Sequence, residues 1–134
     1  MKIKRIRIIK NEKGASAVEF ALILPILIML VFGIFQFGIA YNNYIALTHA
    51  AREGARLAAV GLYEDPDFDF EQAVRDRAPS VTIETITVDN PEGAYIGKSV
   101  VVTVTGEIFF IEIPMVPKLG PIKLTSQAKM RREQ

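Results

Sequence analysis

Cysteine and tryptophan are absent from this chain of 134 residues, and histidine occurs only once, as His49. Without cysteine the chain forms no disulfide, so its fold depends on its own core and on neighbouring chains. One histidine excludes a metal site built from several histidines and a catalytic relay that uses two. None of the four serines lies in a nucleophile-elbow motif. We therefore expect no catalytic site, no cofactor and no metal site.

Acidic residues are concentrated in one short stretch, YEDPDFDFE at residues 63–71. Carboxylates this close together are potential calcium ligands, but their spacing matches no EF-hand loop and lacks its glycine. We interpret the stretch as a solvated loop. An enzyme in the C-terminal part of the chain, residues 62–134, remains an open alternative.

Charge is missing from a long internal segment, because no Asp, Glu, Lys or Arg lies between Glu19 and Arg52. Within it, the 22 residues from Phe20 to Tyr41 contain one strongly polar side chain, Gln36. A helix of that length measures about 33 Å, which matches a hydrocarbon core of about 30 Å. The segment predicts a transmembrane helix over about residues 20–41 and a lipid bilayer as one partner.

The charges outside that segment are unevenly divided. Residues 1–14 carry a net charge of +5, whereas the other 120 residues carry −4. Basic residues beside a span are retained on the cytoplasmic side. We therefore predict a single-pass protein of the cytoplasmic (inner) membrane, with its N-terminus in the cytoplasm and its C-terminal domain outside. The basic flank is typical of such a span, so we expect no nucleic-acid partner.

The predicted helix extends beyond the span, because residues 41–60 contain no proline and end before Gly61. From Ala15 to Val60 the helix would measure about 69 Å, with a bend near Pro25. Small residues recur every four positions in the extension, which favours close packing. Ala46, Ala50, Gly54 and Ala58 form one row, and Ala51, Ala55 and Ala59 form the next. Either the chain's own sheet or another subunit could cover them.

The remainder predicts one short helix and three strands. The helix is expected over residues 70–78, and the strands over 81–88, 100–106 and 122–130. In the second strand the alternation places three valines on one face: Val100, Val102 and Val104. In the third strand the face expected to be buried carries Ile122, Leu124, Ala128 and Met130. In the first strand the apolar positions change phase between Ile83 and Ile86, which indicates a β-bulge. The predicted fold class is α+β: a long N-terminal helix with a small antiparallel sheet of about three strands on its C-terminal half.

One carboxylate, Glu19, stands at the start of the apolar segment, five residues after Gly14. A charge at the edge of hydrocarbon is costly and needs either water or a partner. If the bond after Gly14 were cut, Ala15 would carry an ammonium group one helical turn from Glu19. Within an apolar bundle the two charges would pair, in one subunit or between neighbours, and would fix the register of the helices.

Several motifs together resemble a known family. The segment GASAVEF at residues 14–20, the Leu-Pro pair at 24–25 and AREGAR at 51–56 occur together in TadE-like minor pilins, or pseudopilins, of the Tad (tight adherence, type IVc) pilus system. The ending IKLTSQAKMRRE is also similar, though less specific. The resemblance implies a long pilin helix. It also implies a role in pilus assembly or initiation, hence in surface adhesion.

The same resemblance implies specific residues and partners. A prepilin peptidase would cut between Gly14 and Ala15, and Glu19 and Phe20 would dock other pilin-like subunits and the pilus assembly machinery. The chain would then divide into a leader at 1–14, a long helix at 15–61 and a small head at 62–134. A mature chain of 120 residues is too long for a short major pilin, which favours a minor pilin, either retained in the membrane or incorporated into a surface pilus.

A charged group follows the span in the predicted helix. Arg52, Glu53 and Arg56 lie within about one turn, so Glu53 and Arg56 can pair, and the group can contact a partner subunit. Two alternatives remain open. One is an uncleaved membrane anchor that displays a small binding domain. The other is a secreted domain released by signal peptidase after the small-x-small residues 38–40.

Overall fold

The computed structural model describes residues 12–89, 97–109 and 120–132. Its elements are α1 (Glu12–Ala59), α2 (Phe70–Arg75), β1 (Thr82–Asp89), β2 (Ser99–Ile108) and β3 (Ile122–Arg131). The chain divides into two compact units, Met1–Phe35 and Gln36–Gln134. Most of the predicted basic leader, residues 1–11, lies outside the described residues.

Helix α1 confirms the predicted long helix, although it begins three residues earlier and ends one residue earlier. Pro25 lies inside it. The most apolar 18-residue window has a mean hydropathy of 2.7, and none of that window is buried in the chain. Helix α1 is the one helix of this kind among the described residues, and it indicates a single-pass membrane protein.

Gly61 ends α1 as predicted, with a positive φ of 84°. The Leu62 N–H donates to the Leu57 carbonyl at 3.1 Å, and the Gly61 N–H donates to the Ala58 carbonyl at 3.1 Å. These two bonds form a Schellman motif, which satisfies carbonyls that the helix leaves unpaired. Glycine is suited to this position because it adopts the left-handed conformation without steric cost.

The three strands form one antiparallel sheet in the order β1-β2-β3. The predicted bulge is confirmed in β1, where the register shifts between Ile83 and Thr85. Glu84 is the extra residue, so Ile83 before it and Ile86 after it both turn towards the core. The predicted alternation of β2 is also confirmed, because Val100, Val102 and Val104 are buried.

The small residues of α1 pack against the chain's own sheet and against α2. Ala50, Ala51, Ala55 and Ala58 are buried in one core cluster with the valines of β2. A Cβ added to Gly54 would lie 3.0 Å from Val102 Cγ1 and 3.1 Å from Val74 Cγ2. At these positions the small residues are therefore covered by the chain's own elements and not by another subunit. Glycine at 54 lets α1 approach both elements closely.

Two details differ from the sequence-based expectation. Helix α2 ends at Arg75, not at Ala78, because Arg77 and Ala78 donate to carbonyls three residues back, in turns that precede Pro79. Ile122, predicted to face the core, is exposed. The inner face of β3 also contains the buried Ser126, whose hydroxyl donates to Thr48 Oγ1 of α1 at 3.1 Å.

Candidate functional site

The residues predicted for cleavage and docking all lie in the first three turns of α1. The Gly14–Ala15 bond falls in the first turn, because the helix begins at Glu12. Ala15, Glu19 and Phe20 are exposed, and Phe20 exposes 60% of its surface. Nothing in the described part of the chain covers this end of the helix.

Ala15 and Glu19 lie on the same side of α1, because four residues make about one turn. Their Cα atoms are separated by about 6 Å along the axis. The structure thus retains the spacing that the sequence suggested between a new amino terminus and the carboxylate. Glu19 stands beside large exposed apolar side chains, including Val18, Leu22 and Ile23. A partner that packs there would have to accommodate a carboxylate within an apolar surface.

The second predicted group lies in the other unit. Glu53 accepts two hydrogen bonds from Arg56, from Nη2 at 2.7 Å and from Nε at 3.1 Å. This confirms the predicted i, i+3 pair. Arg52 is exposed one position away, and no carboxylate pairs with it in the part of the chain that the structure describes.

Arg77 joins this group, although no motif or spacing in the sequence indicates that it does. Its Nη2 lies 3.2 Å from Glu53 Oε1, so one carboxylate holds two guanidinium groups. Twenty-four residues separate Arg77 from Glu53, and only the packing of α2 beside α1 brings them together. No spacing rule in the sequence predicts such a contact.

The paired charges affect the ionisation of Glu53. The hydrogen bond from Arg56 lowers the pKa of Glu53 below its ordinary value, and the charges of Arg56 and Arg77 act in the same direction against partial burial. Glu53 therefore stays ionised at neutral pH. His49, Arg52, Glu53, Arg56, Arg77 and Met130 line an open groove of about 400 Å³.

We define the basic cluster as Arg52, Arg56 and Arg77, with His49 beside them. Glu53 neutralises only one of the three guanidinium charges, so the cluster keeps a charge of about +2 when His49 is neutral. Arginine presents planar, always-charged donors that suit carboxylates. The cluster is therefore suited to an anionic partner.

Comparison with known proteins identifies the N-terminal segment. Residues 14–56 match the family model of TadE-like proteins, a range that begins at Gly14 and ends at Arg56. No curated protein and no solved structure matches the chain. The resemblance found in the sequence is confirmed over the matched residues. Over residues 14–56 the chain is similar to TadE-like proteins, which is consistent with a TadE-like protein of the Tad pilus system.

Proposed function

We propose that this chain is a minor pilin, or pseudopilin, of a Tad-type pilus or secretion apparatus. The proposal is supported most directly by one observation: the family match and the apolar helix begin at nearly the same residue. The TadE-like match begins at Gly14, close to the start of an exposed apolar helix in which Glu19 is the one acidic residue between Gly14 and Glu53. A helix of this kind suits both insertion in a bilayer and packing with similar helices.

Processing by a prepilin peptidase is part of the proposal. A protease needs an extended backbone, so the first turn of α1 must unwind before the Gly14–Ala15 bond is cut. Unwinding is easier there because the first four N–H groups of a helix have no intrahelical acceptor. Gly14 lowers helix stability by a further amount of about 0.5–1 kcal/mol relative to alanine. The leader at residues 1–14, with its net charge of +5, would keep this end in the cytoplasm.

After cleavage, the Glu19 carboxylate would pair with the new ammonium group of Ala15. The Ala15 ammonium and the Glu19 carboxylate would lie one turn apart, at the start of a segment whose other large exposed side chains, from Val18 to Phe37, are apolar. When that helix packs among similar helices, both charges lose water and stabilise each other, within one subunit or between neighbours. Phe20 would pack beside them. Assembly would then initiate or extend the pilus and so support surface adhesion.

Replacing Glu19 by glutamine tests this role. Glu19→Gln keeps size and hydrogen bonding but leaves the Ala15 ammonium without its counter-charge. Breaking a buried pair from one side costs about 3–5 kcal/mol, and less near water. Each 1.4 kcal/mol lost changes an assembly equilibrium about tenfold. We therefore expect a chain that is inserted and cleaved, yet at least tenfold depleted from sheared pili and from cross-links to pilin-like subunits.

Glu12→Gln is the matched control, because it removes a carboxylate that cleavage discards. We expect it to assemble like the wild type. If Glu19→Gln also assembles like the wild type, Glu19 only contacts interfacial water, and the chain is better explained as an uncleaved anchor for its head.

A further inference from the structure

We propose that the basic cluster binds the acidic segment, residues 64–69, of a second copy of this chain. The two surfaces lie in the same unit and carry opposite charge. The basic cluster retains about +2, whereas the acidic segment has four carboxylates in six residues, at Glu64, Asp65, Asp67 and Asp69.

Only part of the acidic segment is neutralised by its own chain. Glu64 accepts a bidentate pair from Arg132, with both distances at 3.1 Å. Asp69 caps α2 by accepting from the Gln72 N–H at 2.9 Å. Asp65 accepts from the Asp67 N–H at 3.0 Å and has no cationic partner among the described residues, and Asp67 has none either. Two exposed carboxylates are thus left for another molecule.

The basic cluster is likewise not neutralised by the acidic segment. Among the described residues, Arg56 and Arg77 pair with Glu53, and Arg52 pairs with no carboxylate. Both surfaces are therefore exposed on the same chain, and each has the charge that the other requires. Guanidinium groups bind carboxylates through paired hydrogen bonds, which makes such a contact directional.

Contact between two different surfaces has a consequence for assembly. When the basic cluster of one copy holds the acidic segment of the next, each end of the pair still presents a free surface. Heterologous contacts of this kind add further copies unless a rotation closes them into a ring. Single exposed ion pairs contribute little, so the contact depends on several pairs acting together.

The absence of cysteine makes disulfide cross-linking a direct test. One full-length copy carries His49→Cys, in the groove of the basic cluster, and a second copy carries Pro66→Cys, between Asp65 and Asp67. Expressed together in membranes and treated with a mild oxidant, the two copies should form a mixed dimer. Because the cysteines are on separate chains, an intramolecular disulfide is excluded. A copy with Thr103→Cys, on the partly exposed outer face of β2 and outside both surfaces, should give at least fivefold less mixed dimer with either partner.

Charge reversal tests the pairing itself. Adding Arg52→Glu to the first copy should lower the mixed dimer at least fivefold, and adding Asp67→Arg to the second copy should restore most of it. Lys129→Glu makes the same charge change on β3, outside both surfaces, and should leave the yield unchanged. At about 1 M salt, where the screening length is about 3 Å, the wild-type contact should also weaken.

Three results would overturn the proposal: no mixed dimer above the Thr103→Cys control, a yield insensitive to Arg52→Glu, or no recovery with Asp67→Arg. Both surfaces lie within residues 36–134, so their contact does not require cleavage after Gly14. It should therefore persist in cells without a prepilin peptidase, which separates its failure from a failure of the proposed pilin function.

Discussion

Two glycines of α1, Gly54 and Gly33, differ in how much space surrounds them. At Gly54 an added Cβ would meet Val102 and Val74 at 3.0 and 3.1 Å, whereas at Gly33 it would meet nothing within 4 Å. Gly54→Leu should therefore destabilise the fold by about 1–3 kcal/mol through overpacking. Urea unfolding of the detergent-solubilised chain, followed by tyrosine fluorescence, measures the change. Gly33→Leu is the matched control and should leave the midpoint in place. Equal midpoints for both variants would show that α1 does not pack on the sheet through Gly54.

Arg132 connects the end of β3 to the segment after α1 and makes stability depend on pH. Its hydrogen bonds lower the pKa of Glu64 below the ordinary value. A carboxylate whose pKa is lower in the folded state contributes stability above its unfolded pKa and loses that contribution as the pH falls through the folded value. Glu64→Gln should therefore lower the urea midpoint at pH 7, and the difference from the wild type should shrink as the pH falls below the ordinary pKa of a glutamic acid. Asp65→Asn, beside it and without a described cation, should show a smaller difference. A Glu64→Gln difference that grows on acidification would contradict this assignment.

Among the elements, β1 contains one extra residue, Glu84, which changes which of the following side chains face the core. Glu84 stands opposite no residue of β2, and its carboxylate pairs with Lys123 Nζ at 2.7 Å. Deleting Glu84 would place Thr85 directly after Ile83 and would keep the alternation of buried and exposed positions. We expect the deletion variant to fold with a small loss of stability, because an exposed ion pair contributes little.

Deleting Thr103 from the centre of β2 is the corresponding control. This deletion would reverse the two faces in one half of the strand, so that buried valines would face solvent. Exposing each large apolar side chain lowers the free energy of unfolding by about 1.5–3 kcal/mol. The expected result is an unfolded or protease-sensitive head for this variant alone. Equal protease resistance of the two deletions would contradict the described register.

The elements themselves were largely predictable from sequence, because helices and strands bury side chains with different periods. The apolar segment, Gly61 and the alternating valines of β2 each predict their element directly. The end of α2 was not predictable to the residue, because Arg77 and Ala78 continue as turns with similar dihedral angles. Contacts between distant residues, such as Arg77 with Glu53, depend on how the elements pack. They therefore cannot be predicted from the spacing of residues in the sequence.

At the scale of the whole molecule, each unit requires something different from its surroundings. The described part of the first unit is an apolar helix whose large side chains are exposed, from Val18 to Phe35. An exposed apolar surface of this extent requires lipid or another helix. The second unit has its own buried core, built from α1, α2 and the sheet. Lipid satisfies the first unit, and in the proposed pilin function similar helices would do so, while the second unit carries the charged surfaces.

Cleavage after Gly14 is the step on which the proposed pilin function depends. The direct measurement is the intact mass and N-terminal sequence of the protein from membranes and sheared pili, with and without a prepilin peptidase. With the peptidase, we expect a chain of 120 residues that begins at Ala15. Without the peptidase, or with Gly14→Leu, we expect the unprocessed chain of 134 residues. Recovery of a chain that begins at Met1 or Lys2 from peptidase-positive cells would contradict the proposed function and identify an uncleaved membrane anchor.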